Sequence, residues 1–250
     1  MPHGAFDQKA SEWQHSVYKK HWWYRARTRI LAKVASTLKF EVTPDILEIG
    51  CGTGPNLEML SKYGRVKGLE YSDHSLEIAR RTLPGIPVQK GWLPDNVDAW
   101  HQRFDLVCSF DVLEHVADDE AALQAIKDIM KENGVLFLAL PAYQWLFGPY
   151  DVEAGHYRRY DRKSAEKMLT RNGYVIRYFT YINAVLFPCV LMGRLAEKVK
   201  SGQFVTSKAL QVPNVIVNTF LYWLFVVESY YIPTFSAPFG ASLLILAQKT

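Results

Sequence analysis

The sequence predicts an α/β fold built on buried parallel strands. Two observations carry this prediction. An apolar run at residues 46–49 stops at a glycine-rich turn, and a second apolar run at residues 66–69 follows after a short helical segment. A further run, residues 104–110, is almost continuously apolar, as expected for a strand that is covered on both faces.

Length and charge limit the class of protein. A chain of 250 residues can form one sizeable α/β domain with a full apolar core. The net charge is only +4, and the basic residues are interspersed with acidic ones. We therefore expect a single domain, residues 1–250, and no nucleic-acid partner.

The cysteines and the N-terminus indicate the compartment. The three cysteines, at positions 51, 108 and 189, are isolated and lie among apolar neighbours. They show neither a C-x-x-C motif nor the His/Cys spacing of a metal site, so we expect buried free thiols in a reducing cytosol and no bound metal. The first residues lack the apolar core of a signal peptide, and a cytoplasmic location is expected.

The glycine-rich turn is the most informative stretch. Glycines at 50, 52 and 54 leave its inner side without Cβ atoms, so a ligand can contact backbone N–H groups at the start of the next helix. Glu70 follows Gly50 by 20 residues (70 − 50 = 20), the spacing at which a carboxylate reaches the hydroxyls of a bound ribose. The turn therefore predicts a nucleoside site, although its third glycine comes one residue too early for a dinucleotide motif.

A second polar segment is expected at the same edge of the sheet. The strand at residues 104–110 leads into the sequence D-V-L-E-H-V, residues 111–116. The carboxyl ends of parallel strands form the ligand side of open α/β sheets. Simpler roles stay open, because Asp111 could cap the following turn and His115 could be a buried histidine with a structural hydrogen bond.

These two motifs together resemble those of class I S-adenosylmethionine (SAM)-dependent methyltransferases. The resemblance lies in Glu48-x-Gly50-x-Gly52-x-Gly54 and in the D-x-L-E-H stretch that begins at Asp111. It covers about residues 40–180 and the last strand. It implies a Rossmann-like α/β sheet of seven strands in the order 3-2-1-4-5-7-6, with helices on both faces and an antiparallel pair at one edge.

The resemblance also implies a set of contacts to SAM, or to its product S-adenosylhomocysteine (SAH). The glycine turn would hold the methionine portion, with the first acidic residue supporting the ammonium group. The second acidic residue would bind the ribose, two aromatic residues would flank the adenine, and the segment after the fourth strand would border the sulfonium. The assigned residues, in chain order, are Glu48, Gly50, Cys51, Gly52, Gly54, Glu70, Tyr71, Gly91, Trp92, Asp111 and Val112.

The acceptor side is less strongly specified. If the acceptor is a hydroxyl group, His115 or His156 could take its proton, because imidazole titrates near neutral pH. Tyr143 opens a loop that is expected to cover the reacting methyl group.

A cluster of basic and aromatic residues follows that loop. Tyr157, Arg158 and Arg159 could bind a phosphate or carboxylate of the acceptor. The same residues could instead form an internal ion-pair network with the acidic residues Asp151, Glu153 and Asp161.

The N-terminal part, residues 1–40, is predicted to be a helical cap. Apolar residues recur at three- and four-residue steps over residues 11–39, which indicates one long helix. Its basic and aromatic middle includes Trp22, a candidate acceptor contact. Three roles are open: covering the core, closing over the cofactor, or contacting a membrane surface.

Residues 182–238 interrupt the core, which comprises residues 41–181 and 239–250. This insert holds two apolar stretches, residues 182–196 and 215–232, with Lys198, Lys200 and Lys208 between them. It could be a helical lid, a homodimer interface, or a surface that contacts a membrane or holds a lipid tail.

The combined features favour one function and leave one alternative. We expect a SAM-dependent methyltransferase that methylates an oxygen of a small-molecule, lipid or lipid-linked glycan acceptor, with peripheral contact at the inner face of the membrane through residues 182–238. The alternative is a non-catalytic SAM-binding module that acts as a membrane-associated scaffold.

Overall fold

The computed structural model describes residues 5–95, 97, 100–199 and 211–250. Its centre is a seven-stranded sheet in the order β3-β2-β1-β4-β5-β7-β6, which confirms the predicted fold and strand order. All neighbouring strands are parallel except β7, which runs antiparallel to both β5 and β6. The strands are β1 (Asp45–Ile49), β2 (Arg65–Glu70), β3 (Val88–Lys90), β4 (Phe104–Phe110), β5 (Met130–Pro141), β6 (Tyr174–Ile182) and β7 (Ser242–Lys249).

Helices connect the strands and cover both faces of the sheet. They are α1 (Ala5–Tyr18), α2 (Trp22–Ala35), α3 (Pro55–Leu60), α4 (Asp73–Thr82), α5 (Asp119–Ile129), α6 (Pro149–Ala154), α7 (Arg162–Arg171), α8 (Phe187–Val199), α9 (Val215–Val226) and α10 (Glu228–Tyr231). Short 3₁₀ turns occupy Leu113–His115 and Gln144–Leu146.

The central strands supply side chains to two apolar cores, one on each face. Along β1, Ile46 and Leu47 point to opposite sides, and along β4 Leu106 and Val107 do the same. Helices α5 and α7 complete one core, and α2, α3 and α9 complete the other. Burial on both faces explains why these strands read as unbroken apolar runs.

The N-terminal segment is two helices, so the prediction of one helix over residues 11–39 is wrong. The chain breaks before Trp22, because His21 takes an extended conformation (φ −74°, ψ 130°) and its ring accepts a hydrogen bond from the N–H of Trp23. An N-cap of this kind begins a new helix. Helix α1 then packs on α4, where the Ser11 and Ser75 hydroxyls lie 2.8 Å apart.

The insert folds onto the domain through two buried polar side chains. Asn218 of α9 accepts a hydrogen bond from the N–H of Trp22 and donates one to the carbonyl of Lys20, each at 2.9 Å. The carboxylate of Glu228 accepts from the backbone N–H groups of residues 183, 184 and 185, at 2.7, 2.7 and 3.1 Å. These bonds fix α9 on α2 and the start of the insert on α10. Of the predicted lysines, Lys200 and Lys208 lie outside the described residues, as does the side chain of Lys198.

The outer face of the insert stays apolar and exposed. The largest exposed fractions on α9 are those of Val215 (80%), Ile216 (82%) and Phe220 (64%), and Trp223 is also exposed. Within the ranges that the structure describes, no helix has the length and apolar character that a bilayer crossing requires.

Two local predictions need correction. Strand β5 begins at Met130, although residues 132–134 were expected to separate a helix from a strand. Asn133 does take the left-handed conformation (φ 61°), but it interrupts strand pairing and does not precede it. Cys51 and Cys108 are buried free thiols as expected, whereas Cys189 is exposed on the insert.

Candidate functional site

The glycine turn joins β1 to α3 in an unusual backbone conformation. Gly50, Gly52 and Gly54 all have left-handed φ angles, of 67°, 55° and 90°. A Cβ on Gly50 would collide with a methyl group of Val112, and one on Gly54 would lie 2.6 Å from a methyl carbon of Leu83. Both positions therefore require glycine for conformation and for space.

Gly52 has a more open side. The nearest atom to a Cβ there would be the side-chain oxygen of Gln14 on α1, at 3.6 Å. A ligand can approach the backbone at this point, and α1 lies directly beside it. The closeness of α1 to the turn is compatible with the predicted lid over the cofactor, which stays a prediction.

Glu70 lies at the carboxyl end of β2 and contacts the turn. Its carboxylate oxygens accept hydrogen bonds from the N–H of Gly52 at 2.7 Å and from the N–H of Ser72 at 2.8 Å. The side chain is buried beside the turn, as the 20-residue spacing predicts. Contact with a ribose stays a prediction, and the structure adds a second role, because the carboxylate fixes the backbone of the turn.

Glu48 is fully buried behind the turn. One of its oxygens accepts a hydrogen bond from the side-chain amide of Asn56 at 2.8 Å, and Oε2 has no hydrogen-bond partner among the described residues. Burial raises the pKa of Glu48 to about 8. Asn56, two residues after the last glycine of the turn, was not predicted to take part.

The predicted adenine contacts are adjacent, but they contact each other. The rings of Tyr71 and Trp92 stack with centroids 5.0 Å apart and an interplanar angle of 17°, so no base fits between them in this arrangement. The expectation that they flank the adenine from two sides therefore needs correction: only an outer face of the pair can stack on a base. Gly91 donates a backbone hydrogen bond to the carbonyl of Glu70 at 3.0 Å, which ties this segment to the ribose side.

Asp111 continues the site at the end of β4. It has a left-handed φ of 57°, and its N–H bonds the carbonyl of Ala139 on β5 at 2.9 Å. Its carboxylate lies 2.7 Å from the guanidinium of Arg27, which is buried on α2. Arg27 was not predicted, although an arginine on the apolar face of a helix could have indicated a buried ion pair.

Three polar side chains meet next to Asp111. The rings of His115 and His156 are perpendicular with centroids 4.6 Å apart, although 41 residues separate them in sequence (156 − 115 = 41). Glu114 completes the group: one ligating atom from each of the three lies within 4.8 Å of the others. Burial, with the nearby His156, lowers the pKa of His115 to about 4.

Asp151 on α6 orients this group from behind. Its carboxylate is fully buried and lies 2.8 Å from Nδ1 of His156 and 2.7 Å from Nε of Arg159. Burial opposes its ionisation, but the hydrogen bond from His156 and the charge of Arg159 lower the pKa of Asp151 to about 2. Arg194 of α8 adds a longer ion pair at 3.8 Å.

The two arginines predicted to bind the acceptor are engaged in internal ion pairs. Arg159 pairs with Asp151 and donates to the carbonyl of Ala142 at 3.2 Å. Arg158 pairs with Asp119 at 2.7 Å. The internal network is therefore observed, but only Asp151 of its three predicted acids takes part in these pairs, since Asp161 caps α7.

The remaining predicted acceptor contacts are aromatic. Tyr143 has a left-handed φ of 62° and stacks on Tyr181 with centroids 5.3 Å apart. Tyr157 is exposed close to the histidine pair. Trp22 packs edge-on against Phe225 of the insert, at 6.1 Å, and so helps to hold α9 on α2.

Comparison with known proteins decides the family. Residues 21–179, more than half of the chain, match a protein family described as a methyltransferase domain. The chain belongs to this methyltransferase family. The predicted family, its cofactor SAM and its fold are thereby confirmed.

Relatives of known name share a shorter region. Ubiquinone biosynthesis O-methyltransferase of Shewanella sp. is 29% identical over 99 residues, and that of Neisseria meningitidis is 30% identical over 101 residues. Each match covers 38% of this chain and 42% of the relative, so the similarity spans less than half of those proteins.

Solved structures share the fold over most of the chain. A SAM-dependent methyltransferase of Thermotoga maritima has a TM-score of 0.58 at 18% identity, and the match covers 98% of each chain. Phosphoethanolamine N-methyltransferase 2 of Haemonchus contortus, solved with SAM, has a TM-score of 0.55 at 16% identity, covering 88% of this chain and 52% of that one. The [4+2]-cyclase SpnF has a TM-score of 0.59 at 16% identity, covering 91% and 82%. At these identities the likeness is one of fold alone.

Proposed function

We propose that this protein transfers a methyl group from SAM to a hydroxyl oxygen of an acceptor that has an apolar portion, such as a lipid, a lipid-linked glycan or an apolar small molecule. The observation that carries this proposal is the contact between two sites. Val112, next to the acidic and histidine residues that follow β4, packs directly on Gly50 of the cofactor turn. A methyl group held at the turn would therefore lie beside a group able to handle the acceptor's proton.

SAM would occupy the carboxyl edge of the sheet. Its methionine portion would lie on the open side of Gly52, and its ribose hydroxyls would reach Glu70. The sulfonium would lie next to Asp111 and Val112, where the Asp111 carboxylate offers negative charge to the cationic sulfur. The adenine would stack on an outer face of the Tyr71–Trp92 pair.

His156 is the better of the two predicted bases. The buried carboxylate of Asp151 bonds Nδ1, which fixes the tautomer and leaves Nε2 to accept a proton. His115 is a weak base because its pKa is lowered to about 4. Without a metal ion, the acceptor hydroxyl would lose its proton to Nε2 and its oxygen would attack the methyl carbon. The C–S electron pair would go to sulfur, which yields SAH.

The acceptor's apolar portion has a surface to follow. Tyr143, Tyr181 and Phe187 form adjoining ring contacts between the site and the first helix of the insert. From there the exposed face of the insert continues with Phe220 and Trp223. The relatives are named O-methyltransferases of ubiquinone biosynthesis, and that name supports an oxygen acceptor here.

The same surface supports peripheral membrane contact. Arg25 and Arg29 are exposed on α2, and their guanidinium groups lie over the rings of Tyr222 and Tyr230 at 4.5 and 5.7 Å. Basic and aromatic side chains that border an apolar face suit the headgroup layer of an anionic membrane. The scaffold alternative shares this surface but lacks methyl transfer.

The cofactor site is tested by calorimetric titration with SAH. We expect micromolar binding by the native chain and at least about tenfold weaker binding by Glu70→Ala, because the loss of a buried polar contact costs about 1.4 kcal/mol. Glu77→Ala, which removes an exposed carboxylate from α4, is the matched control and should bind as the native chain does. Absence of binding at millimolar SAH would refute the cofactor site.

Transfer itself is tested with SAM labelled in its methyl group and a bacterial lipid extract. Label in an extractable lipid, lost in His156→Ala, is the expected result. SAH binding without transfer to any lipid or small-molecule fraction would favour the scaffold alternative.

A further inference from the structure

We propose that Glu114, His115 and His156 bind one divalent first-row transition-metal ion at the acceptor side of the site. No metal was expected from the sequence, because two of these residues are adjacent and the third lies far along the chain. The 3₁₀ turn Leu113–His115 and the segment after α6 bring them together. The backbone N–H of Tyr157 bonds the carbonyl of Glu114 at 2.7 Å and fixes the two segments against each other.

The spacing of the three side chains suits a common ion. Their ligating atoms lie within 4.8 Å of one another. Two ligands that each lie about 2.1 Å from a zinc ion are about 3.4 Å apart in tetrahedral geometry. Small side-chain rotations therefore bring the three atoms to bonding distance without movement of the backbone.

The carboxylate of Glu114 gives independent support. The side chain is only 1% exposed, and its Oε2 atom has no hydrogen-bond partner among the residues described. A buried acceptor without a partner costs free energy, and a buried carboxylate costs more. A cation bound to Oε2 would satisfy this atom.

The histidines are arranged as metal ligands commonly are. Nδ1 of His156 bonds the carboxylate of Asp151 at 2.8 Å, which leaves Nε2 for the ion. A carboxylate behind a ligating histidine fixes the orientation of the ring and increases its basicity. Asp151 is itself held by Arg159, so the support extends into the core.

The ligand set selects the type of metal. Two imidazoles and one carboxylate suit zinc or iron(II), whereas magnesium and calcium prefer oxygen ligands throughout. Three protein ligands also leave at least one position for a substrate oxygen.

This inference rests on the proposed function for its chemical role and changes the role of His156 from base to ligand. The acceptor hydroxyl would take an open position on the ion, and its pKa would fall as that of metal-bound water does. Its proton would leave to solvent water. The oxygen would then form the O–CH₃ bond as the C–S bond breaks, with the electron pair going to sulfur.

The test measures binding of cobalt(II) alone, followed by its visible absorption, to the tag-free chain after treatment with a chelator. We expect one ion per chain, displaced by zinc. Glu114→Gln and His156→Ala should each weaken binding at least tenfold, whereas His101→Ala, which removes an exposed histidine from another surface, should leave it unchanged. Thermal melting and SAH titration of each variant show whether the fold and the cofactor site are intact.

The outcomes separate this inference from the proposed function. No spectral change at millimolar cobalt, or binding that survives both ligand variants, overturns the metal site even if methyl transfer is observed. Stoichiometric binding that the variants abolish supports the site even if no acceptor is found. Transfer that is lost with the chelator and restored by zinc supports the role of the ion in the reaction.

Discussion

The cofactor side and the acceptor side of this protein are built in different ways. On the cofactor side, the glycine turn and Glu70 lie within one βαβ unit, and their contacts run through backbone N–H groups. On the acceptor side, Glu114 and His156 come from segments more than 40 residues apart, and buried ion pairs around Asp151 hold them.

The difference predicts how each side responds to substitution. A turn made by backbone conformation is sensitive to any added side chain but depends little on distant residues. A cluster made by side chains from several segments depends on each partner in its hydrogen-bond network. The following experiments test this division, from the largest expected effect to the smallest.

Substitution of Asp151 should have the largest effect on stability. Asp151→Asn leaves the buried guanidinium of Arg159 without its counter-charge, so we expect the free energy of unfolding to fall by about 3–5 kcal/mol. Denaturant unfolding measures this, with Asp128→Asn, an exposed carboxylate on α5, as the control. SAH affinity should stay within about twofold, because the cofactor side does not share this network. An equal loss of SAH affinity and stability would show that the two sides are not separate.

Substitution of Gly50 should act on the cofactor side. Gly50→Ala places a Cβ at a left-handed residue and against Val112, so unfolding should become easier by about 2–4 kcal/mol. SAH binding should weaken at least about tenfold. Gly85→Ala is the control, since a Cβ there has no neighbour within 4 Å. A Gly50→Ala chain with native stability would contradict the conformational requirement of the turn.

Glu48 should make stability depend on pH. Burial raises its pKa to about 8 from an ordinary value of 4.5. Between these values the unfolded chain releases the proton and the folded chain retains it, so stability falls as pH rises, by up to about 1.4 kcal/mol per pH unit. Unfolding of the native chain and of Glu48→Gln between pH 5.5 and about 7.5 measures the difference. Equal pH slopes in the two chains would mean that Glu48 is already ionised when folded.

Substitutions on the exposed face of α9 should have the smallest effect on stability. Phe220→Ser with Trp223→Ser should change the free energy of unfolding by about 0.5 kcal/mol or less, because both side chains are largely exposed. Co-sedimentation with anionic phospholipid vesicles should fall strongly, since these residues would insert between the headgroups. Val42→Ser, an equally exposed apolar residue outside the insert, is the control. Unchanged vesicle binding would remove the insert from the membrane contact, and a dimer that the double variant dissociates would assign this face to self-association.

The strands and the cofactor turn could be predicted from the sequence because their signals are local. Residues 104–110 form β4 with the bounds that the apolar run gives. The break before Trp22 was missed, because the periodicity of apolar residues continues across it and only the capping bond of His21 reveals the new helix. The stacking of Tyr71 on Trp92 was also missed, because it depends on how two strand ends approach each other.

The sequence alone determined the family, the strand order and the residues of the glycine turn, because backbone conformation and apolar periodicity depend on neighbouring residues. Only the tertiary structure decided that Arg159 pairs inward with Asp151, that Arg27 reaches Asp111, and that His115, Glu114 and His156 meet. These contacts join residues that are distant in the chain. Their energies come from burial and charge pairing, which no single stretch of sequence specifies.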